Sequence, residues 1–585
     1  MKNRKINKTS QQKGFNDLLL PILCVLCLMP FCVYLAEYDY GYSNYLWHSD
    51  NSVVQDLYTY YRSYFFELVA VISLIVLILR MTLYREKNKS IKIFIPLAIY
   101  CIFAILSTIF SIHPRASLTG NFYQFQNIFV LLGFCLMCFY TYQMLETEQD
   151  YQTIGKGIII VFLLISITGW FQVFGHDLLN FELVQRFIMS EEQFAEYRGT
   201  IEDVFSENNV FLTLYNPNYA AVFLVMFAAV FAVLSYSEQE KKKKICYLLL
   251  LFAALLLLWF TYTRAALIAI VTGSIVFILC IGKSFFQKWN YVLSGILIFL
   301  VLCVSLDAIN GFPYLSRMVD TPKKPKLQEV LTSQEGISIT YEDKSLILTL
   351  DKEGLSAKDT KGTIITLKQN SKGEWIIPFR TSILARFMNK EETLSFILQL
   401  EEGFLEFVKT EEGYFYRNGD RKLDKMVEIP KLDLHGLEYL GSGRLYIWSR
   451  VIPMLKNYLL VGSGPDTFAE AFPQNDYVGK LIYAENPRRV IESAHNDYLT
   501  RWVQTGLLSL LALLVFYLWF FKHCFSFYKN CDLHTKKQQL GFGCFLACIC
   551  YLTCCFFSDS SLYTTPTFYI FAGIALASST TENYS

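Results

Sequence analysis

The stretch that decides the fold reads YAAVFLVMFAAVFAVLSY at 219–236, EQEKKKK at 238–244, ICYLLLLFAALLLLWFTY at 245–262 and, just past Arg264, AALIAIVTGSIVFILCI at 265–281. About 20 mostly apolar residues in a helix cross a bilayer core about 30 Å thick. Three such runs follow one another, parted by four lysines on one side and a lone arginine on the other. Lysine-rich loops stay on the cytoplasmic side. This stretch therefore predicts three consecutive spans that turn in the cytoplasm at Lys241–Lys244 and outside at Arg264.

Worked outward from there, the chain offers twelve such segments, at about 18–36, 64–80, 93–111, 127–143, 157–175, 219–236, 245–262, 265–281, 291–306, 503–521, 541–557 and 567–579. Arg80, Arg85, Lys87, Lys89 and Lys92, then Lys241–Lys244, Lys283 and Lys288, and finally Lys522, Lys529, Lys536 and Lys537 fall on the side of the N-terminus. The opposite short loops hold little beyond Arg62, Arg115, Arg186, Arg198 and Arg264. Alternation through twelve spans keeps every basic cluster on one face. The expectation is an all-α polytopic protein of the cytoplasmic membrane, with both termini cytoplasmic and a large loop outside. The basic start, Lys2, Arg4, Lys5, Lys8 and Lys13, resembles a secretory leader, but Leu18–Ala36 is of spanning length and no A-x-A-like site follows. It is read as the first span.

Composition agrees. Of 585 residues, 53% are hydrophobic and 18% charged, against about a quarter charged in soluble domains; mean hydropathy is +0.33. A net charge of +1 excludes a nucleic-acid partner recognised by bulk electrostatics. The 16 cysteines avoid the segment between Asp307 and Trp502, where a disulfide scaffold would place them. The Cys24/Cys27 and Cys135/Cys138 pairs sit inside hydrophobic runs and read as small apolar core residues.

Four regions follow: a membrane domain at 1–320, a β-rich extracytoplasmic insert at 321–435, a catalytic loop at 436–502 and a closing membrane domain at 503–585. The insert carries short alternating runs, ISITY at 337–341, SLILTL at 345–350, TIITLK at 363–368 and FLEFVK at 404–409, and a hairpin signal at Asn418-Gly419. Tyr414 and Tyr416 are expected on its surface, where they would stack on sugars, although alternating aromatics are also ordinary in strands. A self-contained surface module is the plainer expectation.

Four pieces of the outer face bear chemistry. TYTRAALIAI at 261–270 puts Arg264 at a helix N-terminus, a natural anion site; equally, it is an interfacial arginine. GSGRLYIW at 441–448 places Arg444 after two glycines, and VGSGPDTF at 461–468 is a tight turn. SAHNDYLTRWVQTG at 493–506 holds His495 just before the tenth span, as a general base near neutral pH or as a structural residue.

In this order these pieces resemble the O-antigen ligase and polymerase superfamily of bacterial membrane glycosyltransferases. The resemblance extends to TLYNPNYAA at 213–221, GWFQVFG at 169–175 and SLTGNF at 117–122, and is densest from Arg444 to Gly506; the insert is not part of the usual pattern. It implies transfer of a glycan from a polyprenyl-pyrophosphate donor to a glycan or lipid acceptor outside the cytoplasm, without a cofactor or a metal. By that resemblance His495 matches the base, and Arg264 and Arg444 match the pyrophosphate-binding positions, with Arg488 and Arg489 in support. Asn496 or Tyr498 would orient the base or the sugar, and Asn216 and Asn218 would cap or bend the sixth span. Ligase and polymerase share these motifs and are not separated. Two other classes stay open: a lipid-linked glycan transporter or flippase, and a non-catalytic polysaccharide assembly protein. The transporter reading calls for midplane charges and related halves; Glu67 is the main acidic residue within a span, and no halves are apparent.

Overall fold

The computed structural model describes residues 16–39, 45, 53–83, 89–122, 124–198, 209–282, 289–309, 325–342, 344–351, 354–379, 381–390, 393–418, 421–529 and 531–580. Lys2, Arg4, Lys5, Lys8, Lys13, Arg85, Lys87, Lys283, Lys288 and Gly419 lie outside them. In chain order the main helices are α1 (Asp17–Phe31), α2 (Tyr60–Leu83), α3 (Ile95–Ile109), α4 (Ile128–Met144), α5 (Glu148–Val173), α6 (Pro217–Ser237), α7 (Lys241–Trp259), α8 (Arg264–Ile281) and α9 (Trp289–Ile309). Then come α10 (Arg444–Met454), α11 (Tyr477–Ala484) and α12 (Asp497–Thr505) of the late loop, and α13 (Leu507–Tyr528), α14 (Lys536–Cys554) and α15 (Thr565–Ser579).

All twelve apolar runs are thus helical, but only six among the described residues, α2, α3 taken with the 3-10 turn that leads into it from Lys92, α5, α6, α8 and α13, are long and apolar enough to cross a membrane. For α1, α4, α7, α14 and α15 the shortfall is local. α4 has 17 residues and α15 has 15, while α7 opens with four lysines and α14 with KKQQ. The first run also ends early. Its helix passes through a π-turn and stops at Phe31, beside Pro30, and Ala36 already belongs to a strand, β1 (Ala36–Asp39), paired with β2 (Val53–Asp56). Arg62, expected in a loop, is instead fully buried in the first turn of α2. It donates to the Pro30 and Thr213 carbonyls at 3.2 and 3.0 Å and lies over the Tyr563 ring.

The helices group around α6, which is buried along most of its length. Asn216 caps it and Pro217 opens it with φ preset. α7 and α14 flank it, α15 packs against α4 and α14, and α13 runs beside α3. Gly573 lets α15 approach α4 closely: a Cβ there would meet the Cys138 carbonyl oxygen at 2.6 Å. α2 turns Leu68, Ile72, Ile75 and Leu79 outward, an apolar face suited to lipid. Glu67 accepts from Asn127, the cap of α4, at 2.7 Å.

The insert is two antiparallel meanders. One runs β3 (Leu327–Thr332), β4 (Ile337–Tyr341), β5 (Lys344–Asp351), β6 (Gly354–Asp359) and β7 (Ile364–Ile365). The other runs β8 (Lys368–Gln369), β9 (Trp375–Phe379), β10 (Thr381–Lys390), β11 (Thr393–Gln399), β12 (Phe404–Thr410), β13 (Gly413–Arg417) and β14 (Leu423–Asp424). The TIITLK run is not one strand: the chain changes sheets at Thr366-Leu367. The hairpin expected after Asn418 joins β13 to β14. Tyr414 and Tyr416 are a correction. Both are buried, Tyr414 donating to the Leu350 carbonyl and Tyr416 packing on Tyr477 with ring centroids 4.5 Å apart. Tyr414 is thus covered from within the insert and Tyr416 from outside it, because Tyr477, Val478 and Leu481 of α11 complete the core.

Candidate active site

The site assembles where α12 begins. Asn496 caps that helix, its Oδ1 accepting from the Leu499 amide at 3.1 Å, while its Nδ2 donates to the Phe556 carbonyl at 3.1 Å. The Asp497 amide donates to the carbonyls of Cys555 and Ser558. Tyr498 donates to the Leu552 carbonyl at 2.9 Å and packs on Phe556. These bonds seat the head of α12 on the turn between α14 and α15, and that turn delivers Asp559.

His495 Nδ1 lies 3.0 Å from Asp559 Oδ2. Ser493 donates to the same oxygen at 2.6 Å, and Thr500 donates to Oδ1 at 3.0 Å. The Asp559 side chain is 2% exposed and the imidazole 38%. Burial pushes the Asp559 carboxyl up, but the bond and charge of His495, with Ser493 and Thr500, outweigh it and hold the carboxyl below its ordinary range. An ionised carboxylate at Nδ1 sets the tautomer that leaves Nε2 to accept a proton. The backbone at His495 is left-handed, φ 49°, an uncommon conformation for a non-glycine residue that clusters at functional sites. The orienting residues are therefore Asp559 and Ser493. Asn496 and Tyr498 are committed to the backbone of the α14 end and its turn.

Arg444 is the first residue of α10, half-buried, with Nη1 donating to the Gly441 carbonyl at 3.1 Å. Its buried Nε has no partner. Burial lowers its pKa, and the field of the Asp559 carboxylate opposes that shift without cancelling it. Glu492, half-buried in the same field, is pushed up to about 7, chiefly by burial, with Asp559 adding to the shift and His495 and Arg489 opposing it. Arg488 and Arg489 are exposed on the turn after α11.

Arg264 opens α8 and is exposed. Its neighbour Thr263 donates to Asn218 Oδ1 at 3.4 Å at the head of α6, and Tyr219, one residue on, packs on Tyr563 at 5.1 Å. Asn216 accepts from the Asn218 amide, so both asparagines shape the entry to α6.

The remaining motif pieces are joints. Gln172 of GWFQVFG accepts from the Phe211 and Leu212 amides and donates to the Leu212 carbonyl, pinning the approach to α6. In the 461–468 turn the Ser463 and Gly464 amides pair with the carbonyls of Val503 and Gln504 along α12. A Cβ at Gly462 would meet the Gln504 carbonyl carbon at 2.2 Å. Asp466 of that turn accepts from the Asn121 and Gln126 amides at 2.6 and 3.0 Å, tying it to SLTGNF, and burial pushes its carboxyl up to about 8.

A family described as O-antigen ligase matches residues 398–514. That segment is O-antigen ligase-like. It holds Arg444, the Gly-Ser-Gly-Pro turn, His495 and all of α12, and it starts inside the insert, so β12 to β14 belong to it. Arg264 and Asp559 lie outside the ligase-like segment. No curated protein and no solved structure matches the chain. The ligase-like segment and the apolar helices together mark a membrane protein of glycan assembly. Asp559 escaped the sequence reading; its only local signal was a single acid among serines, SDSS at 558–561, before the last helix.

Proposed function

We propose that this chain is a metal-independent glycosyltransferase that moves a glycan from polyprenyl pyrophosphate to an acceptor hydroxyl at the outer face of the cytoplasmic membrane, as a ligase or a polymerase. In this reading all twelve helical runs span, both termini are cytoplasmic, and the insert and late loop lie outside. The observation that carries it is the His495–Asp559 pair, with a partly exposed imidazole held by a buried carboxylate, in the field of a guanidinium with a buried, unpaired Nε.

His495 Nε2 takes the proton of the acceptor hydroxyl as its oxygen attacks the anomeric carbon. The bond from that carbon to the phosphate oxygen breaks, and the electron pair leaves on the lipid pyrophosphate. Arg444 stabilises the charge gathering there, and Arg264, at the start of α8 where helix amides favour anions, is the second cation of the proposal. Asp559 holds the imidazole in the productive tautomer and offsets its charge once protonated.

The test is deletion of the protein followed by sizing of the cell's surface glycan. Loss of long chains with single repeat units persisting identifies a polymerase, and full chains stranded on lipid identify a ligase. An unchanged glycan overturns the reading.

A further inference from the structure

A cleft of about 460 Å³ lies between the β-sheet insert and the late loop, within the range of roughly 300–1,000 Å³ typical of ligand sites. One wall is the edge strand β3, with Gln328 and Glu329 at a β-bulge; the other carries Arg450 of α10, Tyr483 of α11 and Glu438. Arg450 is satisfied, donating to Asp476 at 2.8 Å and to Ser449 at 2.7 Å. Glu438 is not: it is 8% exposed and its Oε2 has no hydrogen-bond partner. An acceptor that is buried and unpaired calls for a donor from a ligand. Tyr483 is stacked on Tyr446, centroids 5.0 Å apart and planes 22° apart, which fixes an aromatic surface in the same cleft.

These features select a ligand. An apolar chain would leave Glu438 desolvated and unpaired. An anion would meet the Glu329, Glu438 and Asp433 carboxylates. Of the basic residues in the same lining, Arg450 is paired with Asp476 and His435 with Asp433, which sets Lys431 against three acids. A sugar chain donates hydroxyls to carboxylates and lays its C–H face on tyrosine. Position adds to this, because α10 carries Arg450 in the cleft and, six residues and a rise of about 9 Å away, Arg444, on which the Asp559 carboxylate acts.

We propose that this cleft binds a short stretch of glycan, so that the insert and the ligase-like loop form a sugar subsite beside the transfer site. The assignment to glycan rests on the glycosyltransferase reading; the cleft, its unpaired carboxylate and its tyrosine do not.

The experiment uses the full-length protein in detergent and, as probe, oligosaccharides released by mild acid from the surface polysaccharide of cells that express it. Saturation-transfer NMR is expected to show the sugars bound, Glu438→Gln to weaken them roughly tenfold through the loss of one charged hydrogen bond, and Tyr483→Ala to weaken them by a similar factor through the loss of the ring face. Gln328→Trp fills the mouth from an exposed strand position and should abolish binding with the melting temperature unchanged. His495→Ala should bind the oligosaccharides as the parent protein does. Donor lipid carrying the same glycan that displaces the oligosaccharides marks the donor chain as occupant; donor lipid that binds alongside them marks the acceptor. Absence of saturation transfer, or transfer that Gln328→Trp leaves intact, overturns the subsite even where His495→Ala abolishes glycan transfer in cells. Binding that persists while that variant transfers normally sinks the catalytic reading and leaves the subsite standing.

Discussion

At the head of α12, His495 meets Asp559 at 3.0 Å; one turn along, Arg501 meets Asp497 at 3.2 Å. Both carboxylates are buried and both pairs lean on the same turn between α14 and α15. The difference is in what the basic side chain has left to offer. Arg501 is 4% exposed, and Gln126, Ser560 and Tyr100 take up its remaining donors. His495 keeps a ring nitrogen that Asp559 does not engage, on a ring open to its surroundings. A fully satisfied buried pair holds helices in place; a half-satisfied one at a surface has a proton position to spare. The ligase-like segment holds both His495 and Arg501, but the partner of His495 comes from outside it.

The sharpest attack on this contrast is His495→Ala, which should lower glycan transfer by about 10²–10⁴-fold with accumulation and melting unchanged; a variant that still builds normal surface glycan would break it. Arg501→Met should act on the fold instead. It strands the Asp497 carboxylate at a penalty of about 3–5 kcal/mol, seen as protein that fails to accumulate, while adding Asp497→Leu restores part of the yield. Asp559→Asn should keep the fold but lose the tautomer, reducing kcat about 10²-fold with KM little changed. If KM moves and kcat does not, Asp559 binds substrate and does not position the base.

Two smaller effects refine the picture. With a carboxyl pushed up to about 7, Glu492 is largely neutral at pH 6 and anionic at pH 8. The added negative charge opposes an anionic donor, so the donor KM should rise several-fold between those values and stay flat in Glu492→Gln. A parent enzyme with a flat KM would remove Glu492 from the site. Asn496→Ala should lose about 1 kcal/mol of helix-cap stability, read as a modest fall in melting temperature with transfer activity kept. Lost activity at full stability would return Asn496 to the chemistry.

The apolar runs were legible because hydropathy is a local sum over about 20 residues. Where the count falls short, at α1, α7 and α14, the cause is equally local: Pro30, four lysines, a glutamine pair. The glycine turn at 461–464 was visible as a turn, but its task, pairing along the end of α12, was not. Tyr414 and Tyr416 show the limit for strands. Period-two spacing places them on one face, yet nothing within the insert says that α11, some 60 residues later, covers Tyr416.

The sequence by itself determined the helical segments and the strand-rich insert, which depend on composition and spacing along the chain, and it offered Arg264, Arg444 and His495 as candidates only through a motif order that resembles the ligase superfamily. Tertiary structure alone decided that Asp559, 64 residues on, orients His495, that Arg444 shares its field, and that the insert closes a cleft against the ligase-like loop. Those contacts depend on how α12 packs on the α14–α15 turn and α11 on the sheets, and packing between distant segments leaves no periodic trace in a single sequence.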